Sequence, residues 1–151
     1  MTMVAYEEVI PGTPEALFDL TQNYAKRLAW DPFPECYEFH GTNEPSVGAE
    51  LTVKAKNGFS MRVKYVSFNR PRVAAIEMVR GPWFFKRFAG AWQFLPESAS
   101  ASRVSFKYSV EARPSVLAPL VNRLLARSFG EHARQRLLAL KHFVESGAAN
   151  A

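Results

Sequence analysis

One cysteine, Cys36, is the whole thiol content of this 151-residue chain. No internal disulfide can staple it, and no second cysteine completes a zinc knuckle or a C-x-x-C redox pair. Long apolar runs are missing too. No stretch approaches the roughly 18 uninterrupted apolar residues of a membrane span, and Met1 to Ile10, with Glu7 and Glu8, has neither the basic nor the apolar region of a secretory signal. These absences make a cytoplasmic location the expectation. The familiar motifs of chemistry are absent as well: there is no G-x-G-x-x-G, no Walker loop and no G-x-S-x-G. His40, His132 and His142 have no metal-ligand spacing with one another or with a carboxylate pair. Metal-dependent and covalent catalysis are disfavoured, and neither a metal nor a cofactor is expected.

What is present describes a globular domain. Hydrophobic residues make up 48% and charged residues 22%, too apolar for a disordered chain and charged enough to dissolve. The length matches one domain, expected over residues 1–147 with 148–151 as a frayed tail. Charge is segregated along the chain, with residues 1–53 at net −7, residues 54–107 at +9 and the remainder at +3. A basic middle segment raises the question of nucleic acid. Its cations, however, alternate with apolar residues, as on the wet face of an antiparallel sheet, and that disfavours nucleic acid as a partner.

The periodicity supports an ordered series of elements. Val4 to Ile10 reads as a strand ended by Pro11-Gly12. Thr13 is a good N-cap, and Pro14 suits the first helical position, so a helix starts there and continues as two short helices to Trp30. Asp31-Pro32-Phe33-Pro34 cannot extend it. From Glu35 to Ala112 the period falls to two. Leu51, Val53 and Ala55 alternate with Thr52, Lys54 and Lys56, and after the Asn57-Gly58 turn Met61, Val63 and Tyr65 alternate with Arg62 and Lys64. Further strands are expected over Val73 to Arg80, around Phe88 to Phe94, and over Arg103 to Val110, and the whole stretch from Glu35 to Ala112 is read as six consecutive strands with one apolar face each. The cover is a helix from Ser115 to about Ser146. Its first-half stripe, Leu117, Leu120, Val121, Leu124 and Leu125, is out of phase with Leu137, Leu140, Phe143 and Val144, which predicts a bend near Gly130.

Candidate chemistry is sparse, but rings are in excess. Phe, Trp and Tyr reach 13%, gathered at Trp30, Phe33 and Tyr37, at Trp83, Phe84, Phe85 and Phe88, and at Trp92, Phe94, Phe106 and Tyr108. Two arrangements accommodate them: a filled core, or a cavity for an apolar ligand walled by rings. Arg80 shares the parity of Ile76 and Met78, so it either faces inward as an anchor for an anionic oxygen or snorkels out at the strand end. His132 is either an interior acid or base or a solvent-side helix residue. Asp31 and Glu35 are read as capping or solvated carboxylates.

The order strand, two short helices, six strands, long helix resembles the START-like helix-grip superfamily, in particular its polyketide cyclase/dehydrase and lipid transport branch, and more loosely the coenzyme Q-binding relatives. The residues that carry the resemblance are I-P-G-T-P-E-A-L-F-D-L at 10–20, W-D-P-F at 30–33, G-P-W-F-F-K-R-F-A-G-A-W-Q-F at 81–94, R-V-S-F-K-Y at 103–108 and A-R-P-S-V-L-A-P-L at 112–120. The resemblance implies an α+β helix-grip fold: a curved seven-stranded antiparallel sheet, in the order β-α-α-β6-α, wrapped around a long C-terminal helix. It also implies a cavity between them that in relatives holds sterols, lipids, quinones, polyketides or plant hormones. No universal catalytic set transfers with it.

The leading expectation is a module that binds a hydrophobic or amphipathic small molecule, lipid, quinone or polyketide-like, in that cavity. Its expected wall is Trp30, Phe33, Tyr65, Met78, Arg80, Trp83, Phe85, Phe88, Trp92 and Tyr108 from the first helices and sheet, with Leu117, Val121, Leu124, Ser128 and His132 from the closing helix. The alternative is a cyclase or dehydratase in which Arg80, Tyr65, Tyr108 or His132 supplies proton transfer and oxyanion stabilisation. A third is an interaction module that offers the basic sheet face to a protein or a ribosome.

Overall fold

Thr13 does what its sequence position predicts: its hydroxyl accepts from the Ala16 N–H at 3.2 Å and opens a helix with Pro14 in the first turn. In the computed structural model, which describes residues 2–113 and 118–150, ten principal elements follow one another. They are β1 (Thr2–Pro11), α1 (Pro14–Gln22), α2 (Tyr24–Trp30), β2 (Pro34–His40), β3 (Glu50–Ala55), β4 (Ser60–Asn69), β5 (Val73–Arg80), β6 (Phe85–Pro96), β7 (Ala101–Ala112) and α3 (Ala118–Glu145). Asn23 serves both short helices. Its backbone N–H donates to the Leu20 carbonyl at the end of α1, and its side chain accepts from Ala25 at the start of α2.

The strands form one antiparallel sheet in the order β1-β7-β6-β5-β4-β3-β2, so β1 crosses over to pair with the last strand. In β7 the alternation is strict, with Val104, Phe106, Tyr108, Val110 and Ala112 all buried. Neighbouring β6 turns Phe85, Phe88, Trp92 and Phe94 to the same side. Gly90 completes that row for a steric reason: a Cβ there would stand 3.2 Å from the Phe106 ring, so the bare backbone lets the ring lie across it.

The helix α3 covers the concave face and packs against β1 and β7. One end of the space is filled: Phe18 meets Phe68 and Phe94 edge-on at 5.1 and 5.6 Å, beside Ile10, Leu17, Leu137 and Leu140, all 2% exposed or less. Two sequence expectations change here. The inward positions of α3 are Leu125, Phe129, Ala133, Arg136, Leu137 and Leu140, one face at spacings of three and four, and the helix is continuous through Gly130. Leu120 and Leu124, by contrast, are more than 60% exposed. The apparent phase jump came from reading those surface leucines as core. At the tail, Ala148–Asn150 form a 3-10 turn, with the Ala149 carbonyl accepting from Lys26 Nζ at 3.3 Å.

The charge segregation is resolved by strand order. β1 delivers Glu7 to Arg103 on β7 at 3.0 Å, and the acidic β2–β3 edge delivers Glu50 to Arg62 at 2.9 Å and Glu35 to Lys54 at 3.4 Å. Acids from the first third of the chain thus sit among cations of the middle third on the outer face.

Candidate functional site

Beside the filled end of the core, between the sheet and the middle of α3, lies a cavity of about 150 Å³. Its walls are mostly apolar: Val53, Met61, Val63 and Ile76 from the sheet, Phe85, Phe88 and Phe106 as rings, and Leu125 and Phe129 from α3. Eight residues expected from the sequence line it, namely Phe33, Tyr65, Phe85, Phe88, Trp92, Tyr108, Ser128 and His132. An adjoining recess bounded by Pro32, Lys56 and Gln135 shares Phe33, His132 and Arg136 with the cavity.

Six expected wall residues stand elsewhere, and Leu117 lies outside the described residues. Arg80 is exposed because β5 carries an extra residue, Val79, between the pairs Arg62↔Arg80 and Val63↔Met78. The slip breaks the parity with Met78 and puts Arg80 beside Arg62, whose side chain lies outward against Glu50. Trp83 is 74% exposed in the turn before β6, and Leu124 is 62% exposed on the outer side of α3. Val121, one turn from the first lining residue of α3, is half-buried outside the wall. Met78 packs with Met61 next to Gly81, where a Cβ would stand 2.7 Å from its sulfur. Trp30 is buried one layer back, its ring edge-on to Trp92 at 6.0 Å.

One end of the cavity is polar, and its centre is a residue read from sequence as a cap. Asp31 is 2% exposed. It does end α2, its N–H donating to the Arg27 carbonyl at 2.9 Å, but its carboxylate faces inward between two guanidinium groups. Arg27 Nε donates to Oδ2 at 2.8 Å, Arg136 Nη2 to Oδ2 at 2.7 Å and Nε to Oδ1 at 3.1 Å, and the Phe33 N–H adds a further bond to Oδ1 at 3.1 Å. Arg136 Nη1 also donates to the Tyr108 hydroxyl at 2.9 Å, and Arg27 Nη1 to the Thr21 carbonyl at 2.6 Å. Both cations rest on rings: Arg27 is 5.3 Å from Trp30 and 5.4 Å from Trp92, while Arg136 is 4.6 Å from Phe106. Ring faces supply part of the solvation that water supplies outside.

Electrostatics follow from that geometry. Burial alone would raise the Asp31 carboxyl, but Arg136 and Arg27 outweigh it and hold the group below the usual carboxylate range. Both arginines remain charged despite their burial. Burial pushes the Tyr65, Tyr37 and Tyr108 hydroxyls up, so all three stay protonated at neutral pH. His132 is lowered, first by burial and then by Arg136, and its Nδ1 is buried without a partner among the described residues.

A second polar chain runs along the same end. The Tyr65 hydroxyl donates to Gln22 Oε1 at 2.7 Å, Gln22 Nε2 donates to Thr21 Oγ1 at 3.2 Å, and Thr21 donates to the Phe18 carbonyl at 3.0 Å. With the Tyr65 proton committed to Gln22, the short contact between the Tyr24 and Tyr65 hydroxyls has Tyr24 as donor. Sequence reasoning missed Arg27, Arg136, Tyr24 and Gln22. The one available signal was that Arg136 interrupts the apolar face made by Ala133, Leu137 and Leu140.

An antiparallel sheet that grips a C-terminal helix around a ring-walled cavity with one polar end defines the helix-grip class. Residues 1–145 match the family described as polyketide cyclase / dehydrase and lipid transport, and the chain belongs to that family. Solved structures with the same fold include the Zhui aromatase/cyclase from Streptomyces sp. R1128, at TM-score 0.79 and 11% identity over 95% of this chain and 93% of that one. A START superfamily protein from Mycobacterium smegmatis aligns at TM-score 0.73 and 15% identity, over 95% of this chain and 97% of that one. The di-domain ARO/CYC BexL from the BE-7585A biosynthetic pathway aligns at TM-score 0.79 and 16% identity, over 96% of this chain and 47% of that one. No curated protein matches. Among the described residues, no helix is long and apolar enough to cross a membrane.

Proposed function

We propose that the protein binds a hydrophobic or amphipathic small molecule in the cavity between sheet and α3. The observation that carries this reading is the cavity itself: apolar rings and aliphatic side chains on most of its wall, and a cluster of buried polar groups at one end. That combination supplies burial for affinity and a few fixed polar contacts for orientation. The eight expected residues that line it are the proposed contacts, joined by Tyr24, Arg27, Tyr37, Phe129 and Arg136. A volume near 150 Å³ suits a compact molecule, since an engineered apolar cavity of about that size in another protein holds benzene. Native mass spectrometry of freshly purified protein, followed by organic extraction, tests the reading. A co-purifying or titrated compact apolar ligand supports it; failure of a broad panel of lipids, quinones and aromatic polyketides to bind removes it.

A catalytic reading has one observation of its own: His132, which lines the cavity, has a buried ring nitrogen with no partner among the described residues, and the Tyr24–Tyr65 hydroxyl pair lines the same cavity. Aromatase/cyclases among the structural neighbours make cyclisation the natural reaction to assay. Turnover of a reactive polyketone chain, abolished by His132→Phe, separates an enzyme from a carrier; unchanged substrate separates them the other way.

A further inference from the structure

The buried polar cluster is not neutral. Two guanidinium groups, Arg27 and Arg136, share the single carboxylate of Asp31, and all three side chains are at least nine-tenths buried. The other groups packed around them are neutral at pH 7: tyrosine hydroxyls raised by burial, and His132 with its pKa lowered. The cavity end therefore carries about one net positive charge, which is costly to hold away from water without a partner.

The free valence is on Arg27. Arg136 commits Nε and Nη2 to Asp31 and Nη1 to Tyr108. Arg27 commits Nε to Asp31 and Nη1 to Thr21, while its Nη2 has no acceptor among the described residues, and the side chain lines the cavity. The Tyr37 ring centroid stands 5.9 Å from the same guanidinium, Tyr37 lines the cavity as well, and its hydroxyl has no acceptor among the described residues. Two donors and an uncompensated charge at the end of an apolar chamber define a subsite for an anionic oxygen pair.

Resting on the binding function proposed above, we infer that this protein selects compact aromatic or short-chain anions, with the ligand carboxylate seated on Arg27 Nη2 and the Tyr37 hydroxyl. The ligand's ring or chain then occupies the chamber towards Phe88 and Phe129. Arg27 is held in place for this role by Asp31 beneath it and by the flanking rings of Trp30 and Trp92. Charge selection comes from the buried site, and the surface cations are not needed for it.

The test uses three ligands of one shape at pH 7: 2-naphthoate, 2-naphthylmethanol and 2-naphthylmethylamine, titrated by calorimetry in low and high salt. Naphthoate should bind at least about tenfold tighter than the alcohol, as expected when one charge-assisted contact replaces a neutral one, and the amine should bind weakest. Its affinity should change little with salt, because a buried contact is screened little. Arg27→Gln should abolish the preference, so that naphthoate and the alcohol bind this variant with similar affinity and naphthoate carries the larger loss. Should Arg27→Gln not fold, Tyr37→Phe decides, with an expected loss for naphthoate severalfold larger than the loss for the alcohol. Equal binding of acid and alcohol overturns anion selection while leaving the cavity reading intact. Acid binding that survives both substitutions and fades with salt assigns it to surface cations and also overturns the inference. Absence of binding by all three overturns the inference, and the broader panel named for the cavity then decides the binding reading separately.

Discussion

Asp31→Asn is the most informative single change in this protein. The side chain keeps its shape but loses the charge that both buried arginines face, and its amide presents a donor to at least one guanidinium that is also only a donor. Removing one partner of a buried ion pair costs about 3–5 kcal/mol, because the remaining charge is left uncompensated. Here one carboxylate serves two cations, so the loss belongs at the upper end of that range, a large part of the roughly 5–15 kcal/mol that holds a domain of this size together. Urea unfolding followed by circular dichroism measures it directly. The midpoint should fall steeply while the slope with denaturant is kept, since the surface exposed on unfolding is unchanged. A loss below about 1 kcal/mol would refute the reasoning, because it would mean that water reaches the pair and screens it.

The same carboxylate sets an acid limit. Its pKa in the fold lies below the ordinary 3.8. In the range between those two values the unfolded chain binds the proton more readily, so stability falls as pH drops. The Asp31 contribution is complete above about pH 5, declines as pH passes 3.8, and is lost once pH falls through the folded value. Asp31→Asn should therefore flatten the acid side of the stability profile as well as lower it.

Three further outcomes follow from the packing. Leu137→Ala, at a position with no exposure, should cost about 2–5 kcal/mol in thermal or urea unfolding, whereas Leu124→Ala should stay within about 0.5 kcal/mol. Reversal of Lys54, Lys64 and Lys107 to glutamate should each change stability by about 0.5 kcal/mol or less, since these side chains point to the outer sheet face; a loss of several kcal/mol at any of them would contradict the assigned strand parity. Trp92 is the tryptophan that lines the cavity, with Trp30 behind it and Trp83 in solvent. Ligand-induced emission changes should accordingly vanish in Trp92→Phe and persist in Trp83→Phe.

The architecture was legible because it is written in local patterns that tertiary context reinforces. Period-two alternation in 103–110, the Asn57-Gly58 turn and the Thr13-Pro14 helix start each have one dominant structural reading, and all three hold. In β5 the reading slipped over a single residue. Val79 inserts one extra position into β5 and turns Arg80 from the expected inner face to the outer one. A bulge of this kind has no sequence mark in a stretch as uniform as Val73–Arg80. The α3 stripe slipped for another reason. Leu120 and Leu124 are good helix formers that stand on the outer face, and hydrophobicity alone does not distinguish a surface leucine from a buried one.

The polar end of the cavity was hidden by sequence distance. Asp31 lies 105 positions from Arg136, and Tyr65 lies 43 from Gln22 and 41 from Tyr24. Each residue alone has a bland explanation: a helix cap, a helix arginine, a strand tyrosine. Only the closing of α3 over the α2–β2 corner gives the carboxylate a second cation, and only the pairing of β4 near α1 gives the tyrosine its acceptor. Seen with the fold in hand, Asp31 ties the closing helix to the corner of the sheet while it holds Arg27 at the cavity wall. The network that secures the helix is thus the one that gives the chamber its sign of charge, so any substitution made there should be read for stability and for ligand charge preference in the same experiment.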